Sequence, residues 1–194
     1  MRPEAATLRS AVLPRTGLGA DVLLVVAGAA LVALAAQISI PLPFTPVPIT
    51  GQTFAALLVG ASLGSVRGLA SLLLYWLVGL AGAPVYQGQN EGWEYFLGPT
   101  GGYLVGFIVA AALTGWLAER RWDRRFSSAL AAMLCGNVVI YACGVPWLAA
   151  ELDASLETAL EKGLYPFIVG DLLKLYLAAA LLPGAWRLVS RLRR

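Results

Sequence analysis

Histidine is missing from all 194 residues. Its absence removes the commonest general base, the commonest metal ligand and the side chain that titrates near neutral pH. Charged residues are scarce as well, at 13%, about half the share usual in a soluble domain. There are two cysteines, Cys135 and Cys143. Eight positions apart on one apolar run, they would lie about 12 Å apart along a helix, too far for a disulfide, and they read as buried thiols. No Gly-Lys-Ser/Thr phosphate loop occurs, so any ATP-driven step must draw on other chains. HExxH is not found, and the one GxSxG string, Gly60-Ala61-Ser62-Leu63-Gly64, has no histidine anywhere in the chain to serve as its base, which argues against the common zinc and serine hydrolases; no cofactor or metal is implied.

Apolar residues are present in excess, at 59%. A soluble domain of this length could not bury so much, which makes lipid the solvent. Nearly charge-free runs cover 21–40, 53–63, 68–80, 101–118, 127–149 and 166–182. They predict an all-α integral membrane protein of six transmembrane helices, the second and third short. Residues 1–20 form an N-terminal segment, a short surface helix or nothing ordered, and 21–194 a single transmembrane domain. Basic residues before the first run and Ala33-Leu34-Ala35 imitate a signal peptide, but the run continues to Ile40 and five more follow.

Arginine placement gives the runs a direction. With the N-terminus cytoplasmic, Arg2, Arg9, Arg15, Arg67, Arg120, Arg121, Arg124, Arg125, Arg187, Arg191, Arg193 and Arg194 all fall inside. Outer loops then hold Glu91, Glu94, Glu151, Asp153, Glu157 and Glu161, with Lys162. Both termini are accordingly expected to be cytoplasmic. The net charge of +3 fits anionic headgroups of the bilayer and not nucleic acid, because the arginines flank helices and form no stripe with interleaved aromatics.

Two outer segments are rich in breakers. Residues 39–52 carry Pro41, Pro43, Pro46 and Pro48, which predict a stiff extended lid. Residues 83–103 crowd Gln87, Gln89, Asn90, Trp93 and Tyr95 against Gly98-Pro99-Thr100-Gly101-Gly102-Tyr103. Interfacial aromatics and turn residues account for such segments singly. Together, rings with a few amides match what a small-ligand pocket needs. Candidate contacts from these segments are Phe44, Gln52, Gln89, Asn90, Trp93, Thr100 and Tyr103.

Asp171 and Lys174 stand three residues apart within the last apolar run, on one helical face. Each charge costs roughly 2.5–3.5 kcal/mol at a helix centre by insertion scales, so such residues usually face a cavity. A purely structural ion pair is the alternative. Asn137 and Tyr141, four apart, share a face that either lines the same cavity or joins helices. Ala27, Gly28, Ala29, Ala30, Ala33, Ala35 and Ala36 form a small-residue face on the first helix, for internal packing or for docking a membrane subunit.

Three motifs, Thr45-Pro46-Val47-Pro48-Ile49-Thr50-Gly51-Gln52-Thr53, Gly98-Pro99-Thr100-Gly101-Gly102-Tyr103 and Phe167-Ile168-x-Gly170-Asp171-x-x-Lys174, occur in order over nearly the whole chain. In them the chain resembles the BioY family, the biotin-specific S components of energy-coupling factor (ECF) transporters. The resemblance implies a six-helix S-component fold in the cytoplasmic (inner) membrane that binds biotin from outside. It also implies docking through Ala29 and Ala33 onto a transmembrane coupling subunit that carries two ABC ATPase subunits. Asp171 and Lys174 match the family's helix-six pair, and a ureido ring suits them: its N–H groups meet the carboxylate and its carbonyl meets the ammonium. The competing expectation is a self-sufficient secondary transporter coupled to protons through Asp171. An intramembrane aspartyl protease is disfavoured, because Ile168 stands where its Gly-x-Gly-Asp motif needs glycine and no second intramembrane aspartate is available to share a proton.

Overall fold

The computed structural model describes residues 7–13 and 17–192; Arg2, Arg15, Arg193 and Arg194 lie outside them. Nine α-helices are found among the described residues: α1 (Leu8–Val12), α2 (Leu18–Gln37), α3 (Gln52–Leu63), α4 (Ser65–Leu80), α5 (Gly92–Leu97), α6 (Gly101–Glu119), α7 (Phe126–Glu151), α8 (Leu156–Gly163) and α9 (Ile168–Leu192). Short 3₁₀ turns occupy Gln87–Gln89 and Tyr165–Phe167. Four helical stretches, Leu18–Gln37, Gly101–Glu119, Phe126–Glu151 and Leu156–Arg191, are long and apolar enough to cross a bilayer, whereas α3 and α4 are shorter apolar helices. Of the six expected transmembrane helices, four are thus long enough to span, and the second and third are short as the sequence predicts.

α6 is the central helix. Of its most apolar stretch 67% is buried inside the protein, against 17% for α2, which lies at the periphery. Glycine permits the close approaches. Gly60 of α3 sits against the Ala111 backbone of α6, and Gly68 of α4 sits against the Gly60 Cα. Gly106 of α6 likewise rests on the Ile140 backbone of α7. With no Cβ between them, backbones can approach within packing distance, as membrane interfaces favour. Gly64, at φ +89°, is the one residue between α3 and α4, a conformation glycine adopts without strain.

Polar contacts close one end of the bundle. Asp21 of α2 accepts from Arg67 of α4, Nε at 2.9 Å and a terminal guanidinium nitrogen at 2.8 Å, and from Arg9 of α1. Glu119 of α6 accepts from the backbone N–H and hydroxyl of Ser65 at 2.8 and 2.9 Å. Asp123, in the loop after α6, accepts from the Trp186 indole of α9, and the Arg124 guanidinium lies 3.4 Å from the centre of that indole. The described arginines thus gather at the end holding the α3–α4 turn and the α6–α7 loop.

The opposite end departs from the sequence expectation in two places. α2 stops at Gln37, and the proline segment doubles back as an antiparallel ribbon, β1 (Ser39–Ile40) with β2 (Ile49–Thr50), pairing Ser39 with Thr50 and Ile40 with Ile49. All four prolines fall in the connection between the strands, where no ladder N–H is needed. The amphipathic α8 is a further element there, starting at Ser155, whose hydroxyl accepts from the Thr158 N–H as an N-cap does. The Thr45 hydroxyl donates to the Lys162 carbonyl at 2.8 Å and ties the ribbon tip to α8.

Candidate functional site

The ribbon, the outer loop and the outer ends of α3, α6, α7 and α9 enclose a cavity of about 520 Å³ of unfilled space, partly open to solvent. No lining residue comes from α2 or α4. Asp171, in the first turn of α9, is 3% exposed and sits in the cavity wall. One carboxylate oxygen accepts from Lys174 Nζ at 3.0 Å and the other from the Tyr141 hydroxyl. Burial of a carboxylate is tolerable only with such partners. The pair is therefore a triad, and its tyrosine comes from a different helix.

Around the triad the wall is mostly aromatic and aliphatic. Tyr103, 7% exposed, meets Tyr141 edge to face at 6.1 Å between ring centres and donates its hydroxyl to the Gly163 carbonyl at 2.8 Å. Phe107, Ile140 and Phe167 add apolar surface. Gln52 is buried, donates to the Tyr75 hydroxyl at 2.9 Å and lines the cavity edge with Thr50 and Thr53. Toward the mouth stand Gln87, Tyr95 and Thr100. The Gln87 amide is oriented by the Ser39 hydroxyl at 3.1 Å. Tyr95 stacks on Tyr86 at 5.2 Å, and burial raises both phenols, that of Tyr86 to about 12, so both are neutral donors at physiological pH.

Of the residues singled out from sequence, Asp171, Lys174, Gln52, Thr100 and Tyr103 line this cavity together. Asn90 lies beyond it, in an outer groove with Pro46, Glu91 and Glu94 that shares Gln87, Tyr95 and Thr100 with the cavity. Gln89 is exposed; its backbone, at φ +62°, turns the loop, and its N–H is held by the Gln37 side chain at 3.2 Å. Trp93 and Phe44 are each 59% exposed and line neither space. Asn137 is buried but lines a separate, apolar groove between α7, α8 and α9, which shares Tyr141 and Asp171 with the cavity. Gln87 and Tyr95 line the cavity although neither is among the contacts expected from sequence, and Tyr141, read as sharing with Asn137 a face that lines the cavity or joins helices, lines it. Position four after Asn137 on one helical face was the available signal for Tyr141, and crowding in the outer loop for the other two.

On α2, Ala29 is buried in the chain's own core and Ala33 is half-buried, while Ala27 and Ala30 are the exposed small residues. The Ala29-x-x-x-Ala33 pair turns inward because α2 rolls Gly28 and Ala29 against α3 and α4, where Gly28 meets Val59 and Ser71.

The family model described as the BioY family matches residues 8–191. The chain belongs to the BioY family. Among similar BioY proteins is the "Biotin transporter BioY" of Rhizobium etli, 39% identical over 160 residues, 79% of this chain and 85% of that protein. The "Biotin transporter BioY" of Thermotoga maritima is 40% identical over 150 residues, 77% of this chain and 86% of that protein. Among solved structures, the S component for biotin from an ECF-type ABC transporter matches with a TM-score of 0.78 at 28% identity, covering 92% of this chain and 95% of that one. The BioY fold seen here is thus that of an ECF S component, in a multi-pass membrane protein.

Proposed function

We propose that this chain captures biotin at the outer face of the cytoplasmic membrane and delivers it inward as the substrate-specific S component of an ECF transporter. In this reading α2, α3, α4, α6, α7 and α9 all cross the bilayer, with both termini and the arginine-rich end in the cytoplasm. A transmembrane coupling subunit and two ABC ATPase subunits supply the energy, since the chain holds no phosphate loop.

The single observation that carries the reading is a buried aspartate paired with a half-buried lysine in the wall of an outer cavity, in a chain of this family. The ureido ring offers N–H groups to Asp171 and a carbonyl to Lys174, while its bicyclic body and valeryl chain lie against Tyr103, Phe107 and Phe167. Gln52, Thr100 and, at the mouth, Asn90 provide further polar contacts for the ligand.

Equilibrium titration of the purified chain with biotin, followed by tryptophan fluorescence, tests this. A saturable change is expected in the wild type. Asp171→Asn is expected to weaken binding by about 1.5 kcal/mol or more, the scale of a hydrogen bond to a charged group. A flat wild-type titration overturns the biotin assignment.

A further inference from the structure

Tyr141 stands at a junction. Its hydroxyl donates to one oxygen of Asp171, its ring meets Tyr103 edge to face, and its body forms part of both the ligand cavity and the apolar groove between α7, α8 and α9. Tyr103 is itself fixed, because its hydroxyl is bonded to the Gly163 carbonyl at the end of α8. A continuous chain of contacts therefore runs from α8 through α6 and α7 to the carboxylate on α9.

The carboxylate needs that chain. Lys174, three residues along α9, reaches only one Asp171 oxygen. A carboxylate held by a single flexible ammonium can rotate until both oxygens face that ammonium, or turn toward the groove. With the second oxygen tied to α7 the plane is fixed, and each oxygen keeps a lone pair for a ligand donor. No other side chain among the described residues donates to Asp171.

We infer that Tyr141 is the positioning residue of the site: it orients the Asp171 carboxylate toward the ligand cavity and closes that cavity off from the apolar groove. The inference rests on the biotin reading for its ligand but not for its geometry, so two independent measurements test it.

In the first, biotin affinity is measured for wild type, Tyr141→Phe, Asp171→Asn and the double variant, all as purified full-length chains. Tyr141→Phe is expected to weaken binding about tenfold or more, as loss of a hydrogen bond to a charged group does. In the Asp171→Asn background the same change is expected to cost little further. Unchanged affinity, or an equal loss in both backgrounds, overturns the inference, since a role in packing alone would be blind to Asp171. In the second, intact membranes are treated with dicyclohexylcarbodiimide, an apolar reagent for carboxyl groups, and labelling of the peptide containing Asp171 is followed by mass spectrometry. Tyr141→Phe is expected to label several-fold faster than wild type, and equal rates overturn the inference. This measurement needs neither biotin nor purification. A wild type that fails to bind biotin would therefore sink the ligand assignment and leave the labelling rates to decide on Tyr141.

Discussion

Asp123 belongs to a loop crowded with arginines, yet it is 1% exposed and has the Trp186 indole and Arg124 for company. Burial raises its carboxyl above the ordinary range, against the opposing pull of the indole hydrogen bond and the guanidinium. The folded chain then keeps a proton that the unfolded chain releases above about pH 4, so the contribution of this residue to stability is full below that pH and declines as pH rises through the raised value. Thermal unfolding of Asp123→Asn across that range is expected to give a flatter curve than the wild type, with the largest gain on the alkaline side; parallel curves would contradict it. Charges inside an apolar run break its pattern, which is why Asp171 and Lys174 were legible without coordinates. Tyr141 breaks no pattern, because tyrosine is at home in a membrane helix, and only the fold brings its hydroxyl to Asp171. Asp21 and Asp123 were equally hidden, since partners 46 and 63 residues away make them what they are.

At the scale of helices, the meeting of α3, α4 and α6 depends on two glycines. A Cβ at Gly60 would press on the Ala111 backbone, which cannot move without shifting α6, and on the Thr114 hydroxyl, which could turn away only by giving up its bonds to the Leu57 and Ala110 carbonyls. Gly60→Ala is expected to destabilise the protein by about 1–3 kcal/mol, the usual cost of overpacking, read as a lower melting temperature in detergent. A control at Gly170, where a Cβ meets nothing within 4 Å, is expected to melt like the wild type. Helix positions followed from apolar runs, and even the brevity of α3 and α4 was visible. The ribbon was not, because prolines at alternating spacing specify stiffness locally but say nothing of where the segment folds back. α8 escaped for the opposite reason: its acidic and apolar residues make an ordinary amphipathic turn on the outer surface, with none of the length a membrane span requires.

Taken as a whole, the molecule divides its labour. Four helices and two outer connections enclose the cavity, α4 braces them from outside through Tyr75, and α2 lies along one flank with Leu23, Ala27, Ala30 and Leu34 facing outward. If that flank meets the coupling subunit, Ala30→Trp is expected to leave biotin affinity within about twofold of wild type, an energy of about 0.4 kcal/mol, while depressing uptake in cells that supply the remaining subunits. Loss of binding and uptake together would show that α2 shapes the site after all. The arginines predict a sidedness, and the described ones do collect at one end of the bundle. Which face of α2 points outward was not readable, since a helix of alanine and leucine offers nearly the same wheel from every direction.

That α2 lines no part of the cavity has a mechanical meaning. A container moved by another protein works best when its handle is not also its lid. Force applied along α2 would reach the cup through α3 and α4, through the ribbon that continues from its end, where the Gly51 N–H donates to the Ala35 carbonyl, and through the Gln37 tether to the outer loop, and these joints are where pulling on the handle would first be felt by whatever the cup holds.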